Sequence, residues 1–213
     1  MKLYHCTPSR SCRVRWLIEE LGVPCEIMEV NLLVGDQKKP EYLHIHPHGW
    51  VPALVDGDQT IIESSAIVLY LADKYPEKQL APTPGSPARA RYYQWAVYGP
   101  ANIDPQIATL VAHTVFLPEN QRNPEAVKTA TERFKACAEV LTAILEQQPY
   151  LLGSEFSAAD IIIGYNCWQA RFLRLLGDYP VLQMYFDRLA PRPAFQKAFT
   201  GLPPQFPKPE NVY

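Results

Sequence analysis

An α/β domain followed by an all-α domain is the fold class that this sequence predicts, on three observations. Within residues 1–78, short apolar runs of strand length alternate with helical patterns. Ala81-Pro82-Thr83-Pro84-Gly85-Ser86-Pro87 is the clearest linker in the chain. Beyond it no convincing strand is found, only helical periodicity. The expected division is therefore 1–78, a linker at 79–87, and a helical domain over 88–213. The chain has 213 residues, 47% of them hydrophobic, enough for two small domains with real cores.

Lys2-Leu3-Tyr4-His5 reads as a first strand and Cys6-Thr7-Pro8-Ser9-Arg10-Ser11-Cys12 as a polar turn. Val14, Leu17, Ile18 and Leu21 then recur at i, i+3, i+4 and i+7, and Gly22 with Pro24 ends that helix. Cys25 to Val30 is a second strand, and a strand–helix–strand opening implies a right-handed crossover and a parallel pair. Residues 31–48 are irregular, with a short helix near Lys39–Leu43. Trp50-Val51-Pro52-Ala53-Leu54 and Ile61-Ile62 flank Asp56-Gly57, a hairpin signal because glycine takes the positive φ that such turns need. Ser64 and Ser65 open a helix carried by Ile67, Val68 and Leu71 and ended by Pro76. The order is the thioredoxin-like one.

Arg89 to Val97 begins an aromatic-rich helix. Asn123-Pro124 is a cap followed by proline at the first helical position, opening a long amphipathic run to Gln147. In Phe156-Ser157-Ala158-Ala159-Asp160-Ile161, Ser157 caps and Asp160 reaches back. The helix from Ile161 to Phe172 is apolar nearly all round and is expected at the centre of the second domain. A last helix spans Val181 to Leu189, with a proline-rich tail from Pro203.

A net charge of −2 makes no electrostatic case for nucleic acid or an anionic membrane. No apolar run approaches the roughly 20 residues that span a bilayer. The N-terminus lacks an apolar signal segment, and five scattered cysteines argue for reduced thiols, so a cytoplasmic protein is expected.

Two features suit a peptide ligand with a free carboxylate. The helix start at Ser64 presents backbone N–H groups, hydroxyls and the positive end of the helix dipole. A cis bond before Pro52 would turn the Val51 main chain toward a ligand lying alongside as an extra strand. Val51-Pro52-Ala53-Leu54 followed by Glu63-Ser64-Ser65-Ala66-Ile67 resembles the glutathione-binding half of the cytosolic glutathione S-transferases, and the cap at Ser157 and Asp160 resembles the one opening the central helix of that family. The resemblance covers nearly the whole chain. It implies a thioredoxin-like glutathione-binding domain and a helical domain contributing the electrophile site, homodimerisation, and glutathione as co-substrate with no metal. It also implies that Val51 and Pro52 meet the cysteinyl backbone, while Glu63 and Ser64 hold the γ-glutamyl end.

Such an enzyme must favour thiolate over thiol, and a shift of about two pH units takes about 2.7 kcal/mol. The turn after the first strand offers hydroxyls (Thr7, Ser9, Ser11), charge (Arg10) and a helix start. By resemblance to serine-type members, which place a serine four residues before an arginine, Ser9 is the expected donor to the sulfur, paired with Arg13, and Ser11 is second. Cys12 suggests another chemistry, mixed-disulfide formation, with a thiol pKa lowered by the helix dipole; alternatively it is a packed core residue. Arg10 is expected to face the ligand.

His44, His46 and His48 alternate along a segment that could be extended, which invites a metal reading, but no cysteine or carboxylate completes a set and none is expected. In the family this stretch reads Asn-Pro-x-Gly-Lys-Val-Pro; here Trp50 replaces a lysine that often touches the glycine carboxylate. Gln37, Lys38, Lys39 or His48 are the candidates to compensate. The second substrate would lie between the domains against Trp95, Tyr98, Asn102, Tyr165 and the tail aromatics, and would be a small hydrophobic electrophile. The rivals are a glutathione-dependent isomerase or thiol–disulfide oxidoreductase on the same fold, and a non-enzymatic scaffold. Arg13-Val14-Arg15 resembles the maleylacetoacetate isomerase branch, whose Ser-Ser-Cys run is replaced here by Ser9-Arg10-Ser11-Cys12.

Overall fold

The computed structural model describes residues 1–201; the proline-rich tail and its aromatics lie outside the described residues. Two compact units emerge. One joins residues 1–81 with residues 190–201, and the other is Pro82–Leu189.

The first unit is built on a four-stranded sheet in the order β2-β1-β3-β4. Strand β1 (Lys2–His5) pairs parallel to β2 (Glu26–Glu29) and antiparallel to β3 (Ala53–Asp56), which pairs antiparallel to β4 (Gln59–Ile62). Gly57, at φ +59, turns the β3–β4 hairpin as its Asp-Gly signal predicts. Helix α1 (Ser11–Leu21) crosses between the parallel strands and packs against α3 (Ser64–Lys74). Val14, Leu17, Ile18 and Leu21 of α1 are buried with Leu3, Leu54, Ile67, Val68 and Leu71. On the opposite pleat from Leu3, Tyr4 meets Tyr42 of the short α2 (Pro40–Leu43) edge-on at 5.5 Å.

The second unit holds α4 (Pro87–Tyr98), α5 (Asp104–Val111), α6 (Pro124–Leu145), α7 (Ala158–Phe172) and α8 (Pro180–Leu189). The Asn123 side chain accepts from the N–H groups of Glu125 and Ala126 at 3.0 and 3.2 Å, and α7 is buried on almost every side. Helix α5, with π-helical turns at Gly99–Ile103 and Ala112–Phe116, has no counterpart in the sequence reading.

The stretch after Leu189 departs from the expected helical domain. Helix α9 (Pro193–Ala198) packs on α1, with the Phe195 ring edge-on to Trp16 at 4.9 Å. Arg192 grips Glu20 through two bonds of 2.6 and 2.8 Å, and Lys197 meets Glu19 at 2.6 Å. Periodicity cannot reveal such docking, because one apolar ring and two cations find their partners some 170 positions away.

Candidate functional site

Four polar side chains join at the start of α1. Ser9 Oγ lies 2.7 Å from Ser11 Oγ, and Ser11 Oγ lies 2.7 Å from His5 Nδ1. His5 Nε2 lies 2.8 Å from Thr7 Oγ1. The Ser11 N–H donates to Ser9 Oγ at 3.1 Å, and the Cys6 N–H donates to Ser11 Oγ at 3.1 Å. Ser9 and Thr7 are half-buried, whereas His5 and Ser11 are 1% and 0% exposed, so the chain runs through the interior between two half-buried ends. Burial, helped by the charge of Arg15, lowers the His5 pKa to about 4, so its imidazole is neutral at neutral pH. Sequence reasoning passed over His5 as an ordinary strand residue. Only its place six residues before Ser11, at the strand end, could have hinted at this role.

Of the two readings of Cys12, the structure has the packed core residue. Its side chain is fully buried, and desolvation pushes the thiol up to about 12, against the lowering expected from the helix dipole. A helix N-terminus favours a thiolate only where the charge is also solvated, and here burial outweighs the hydrogen bonds from Ser9 and Thr7 that would lower the pKa. Arg10 is exposed, whereas Arg13 is fully buried and its Nη1 donates to Ser64 Oγ at 3.4 Å.

The second group of site residues gathers where β3 and α3 begin. The Val51–Pro52 bond is cis. The sheet ladders start at Ala53, so the half-buried Val51 stands outside them. Glu63 is exposed at φ +71, a conformation that costs most residues about 1–3 kcal/mol and clusters at functional sites. Its side chain caps none of the first N–H groups of α3, which an α-helix leaves unpaired. Ser64 is buried there, and the Ser65 hydroxyl is buried with no partner among the described residues.

The loop before β3 brings some of the remaining candidates together. Lys38 Nζ donates to the His48 carbonyl at 3.0 Å, and the His48 ring lies 5.0 Å from Trp50, which is 59% exposed. Gln37 donates to the Leu32 carbonyl at 3.4 Å, while its Oε1 is buried and unpartnered. Lys39 is directed elsewhere, paired with Asp36 at 2.7 Å. The expected alternation of the three histidines fails: His44 is helical at φ −69 and ψ −24 and its Nδ1 bonds to the Pro40 carbonyl. Among the described residues no group of three or more His, Cys, Asp or Glu could hold a metal.

In the second unit, Trp95 and Tyr165 are 2% exposed. These rings are core, filling the space beside α7, and do not line a surface for substrate. Tyr98 is half-buried, edge-on to Trp95 at 5.3 Å, and Asn102 is exposed, its amide donating to the Tyr98 carbonyl at 3.4 Å.

A four-stranded sheet with a hydroxyl-rich first turn, a cis-proline strand and an open helix start is the arrangement that the resemblance to the glutathione S-transferases implies. Comparison with known proteins makes this specific. Residues 1–73 match the family model for the glutathione S-transferase N-terminal domain, and residues 124–188 that for the C-terminal domain. Glutathione S-transferase Z2 of Arabidopsis thaliana is 35% identical over 217 residues, covering 97% of this chain and 94% of that protein. Among solved structures, the ternary complex of BphK, a bacterial glutathione S-transferase, superposes with a TM-score of 0.83 at 31% identity, over 93% of this chain and 98% of that one. A sphingomonad glutathione S-transferase complexed with glutathione gives 0.81 at 29% identity, over 93% and 97%. The chain belongs to the glutathione S-transferase family and is a transferase. Among the described residues no helix is long and apolar enough to cross a membrane.

Proposed function

We propose that this protein joins the thiolate of glutathione to small hydrophobic electrophiles, as a cytoplasmic homodimer in detoxification, with Ser9 as the hydrogen-bond donor to the sulfur. The observation that carries the reading is the half-buried Ser9 at one end of a buried polar chain, in the same unit as the Val51–Pro52 edge and the start of α3. In the proposed complex Val51 pairs with the cysteinyl backbone through its main chain. Glu63, Ser64 and the N–H groups of α3 take the γ-glutamyl end, where the helix dipole favours its carboxylate. Trp50, Gln37, Lys38 and His48 stand toward the glycine end. Conjugation is attack of the thiolate on an electrophilic carbon with departure of the leaving group, the thiol proton having gone to solvent. The exposed Asn102 and half-buried Tyr98 remain the candidates to meet the electrophile.

The thiol–disulfide reading loses its best residue in Cys12, buried and with a raised pKa. Calorimetry with glutathione and conjugation of an activated aryl halide test the proposal. Ser9→Ala is expected to lower kcat/KM about a hundredfold, and Ser64→Ala to raise the glutathione Kd about tenfold. Absence of any heat with millimolar glutathione removes the binding reading; unchanged conjugation in Ser9→Ala removes the catalytic assignment.

A further inference from the structure

We infer that His5 is a positioning residue for the Ser9 hydroxyl, setting through Ser11 the direction in which that hydroxyl donates. The inference rests on the proposed role of Ser9 at the glutathione sulfur.

The argument is a count of protons and lone pairs. A serine hydroxyl has one proton and two acceptor sites; a neutral imidazole has one N–H and one bare nitrogen. Ser11 Oγ accepts from the Cys6 N–H, and Ser9 Oγ accepts from the Ser11 N–H, whatever the direction of the chain. When Nδ1 carries the His5 proton, it donates to Ser11 Oγ and fills that oxygen's second acceptor site. The Ser11 proton then goes to Ser9 Oγ at 2.7 Å in preference to the Cys6 carbonyl at 3.2 Å. Ser9 now holds two accepted bonds, and its own proton has nowhere to go except outward, toward a thiolate. Thr7 completes this arrangement by donating to the bare Nε2.

In the other tautomer the three side-chain bonds reverse. His5 Nε2–H donates to Thr7, Ser11 donates to Nδ1, and Ser9 donates to Ser11, leaving one acceptor site open toward a thiol S–H. The two directions of one chain thus match the two protonation states of the sulfur. A charged imidazole, with protons on both nitrogens, would lose the acceptor for Thr7; the low pKa of His5 keeps it neutral. Without the imidazole, Ser11 is free to turn its proton to the Cys6 carbonyl, and Ser9 to donate inward to Ser11, away from the ligand.

The test is the pKa of the thiol of glutathione bound to the full chain, read from thiolate ultraviolet absorbance against pH, with calorimetric affinity for S-methylglutathione as the control for site integrity. His5→Leu is expected to raise the bound-thiol pKa by about one pH unit, a tenfold loss of thiolate at fixed pH, with S-methylglutathione affinity within about twofold. His5→Asn, whose amide can replace the Nδ1–H donor, is expected to recover at least half of the shift. Ser11→Ala, which leaves the imidazole untouched but removes the oxygen to which Ser9 would turn inward, is expected to raise the pKa by less than His5→Leu does. If Ser9→Ala leaves the thiol pKa unmoved, the role of Ser9 itself falls. If Ser9→Ala raises it but His5→Leu does not, only the role of His5 falls. A loss of S-methylglutathione affinity in His5→Leu, unrelieved in His5→Asn, marks a purely structural residue and likewise overturns the inference.

Discussion

Arg13 and Ser64 are joined by a hydrogen bond of 3.4 Å between a fully buried guanidinium on α1 and a buried hydroxyl at the first position of α3. The bond ties the helix that follows the Ser9 turn to the helix start that faces the γ-glutamyl end in the proposed complex. Arg13→Leu keeps the apolar packing and removes this donor. It is expected to raise the glutathione Kd about tenfold, the worth of one charge-assisted bond. Calorimetry on the variant checks this; an unchanged Kd separates Arg13 from the site.

Acid should destabilise the first unit through His5. The group ordinarily titrates near 6.5, and burial with the nearby Arg15 lowers it to about 4 in the folded chain. The unfolded chain therefore binds more protons between those values. The stability contributed by keeping His5 neutral is complete above about 6.5 and is lost as pH falls toward 4, by up to about 3 kcal/mol. Urea denaturation at pH 7 and pH 4.5 measures the loss, and His5→Leu should flatten the slope across that window.

Asp160 is the acceptor on which one end of the second unit closes. Its carboxylate takes the Leu151 N–H at 2.9 Å, the Ser157 N–H and hydroxyl at 2.8 and 2.9 Å, and the Tyr185 hydroxyl at 2.9 Å. Asp160→Ala would leave these buried donors unpaired and is expected to cost about 3 kcal/mol or more. Ser157→Ala should cost about 1 kcal/mol, as loss of a cap does. Chemical denaturation distinguishes the two.

Cys12→Ala should leave kcat/KM for conjugation within about twofold while lowering stability by about 1 kcal/mol through lost packing. Native alkylation with iodoacetamide should reach the half-buried Cys6 and Cys25 before Cys12. Rapid labelling of Cys12, mapped by mass spectrometry, would refute its burial.

Gly49 sits at φ +62, and a Cβ there would lie closer than 3.0 Å to the backbone carbonyl oxygen of Gln37. Backbone cannot yield as a side chain can. Gly49→Ala is expected to destabilise by about 2 kcal/mol, seen as a lower thermal midpoint in calorimetry.

Much of this architecture is legible one segment at a time. The periodic apolar face of α1, the glycine at the hairpin, the Asn123 and Ser157 caps and the Glu63-Ser64 helix start all act within a few residues, so sequence reports them. Helix α5 was missed because two π-helical turns flank it and blur its period. Helix α9 was missed because it is short and its anchors, Trp16, Glu19 and Glu20, lie at the other end of the chain. Trp95 and Tyr165 were misread for a related reason: an aromatic at helical spacing looks the same whether it faces a ligand or a core.

The amino-acid order alone determined the four strands, most of the helices and the family, because each rests on local conformational preference and short motifs. Tertiary structure decided which polar groups are shielded from water. It buried Cys12 and silenced its thiol, set Arg13 against Ser64, linked His5 to Ser9 and returned residues 190–201 to the first unit. The physical reason is that desolvation and long-range hydrogen bonds depend on what packs around a residue, a property that no single segment carries.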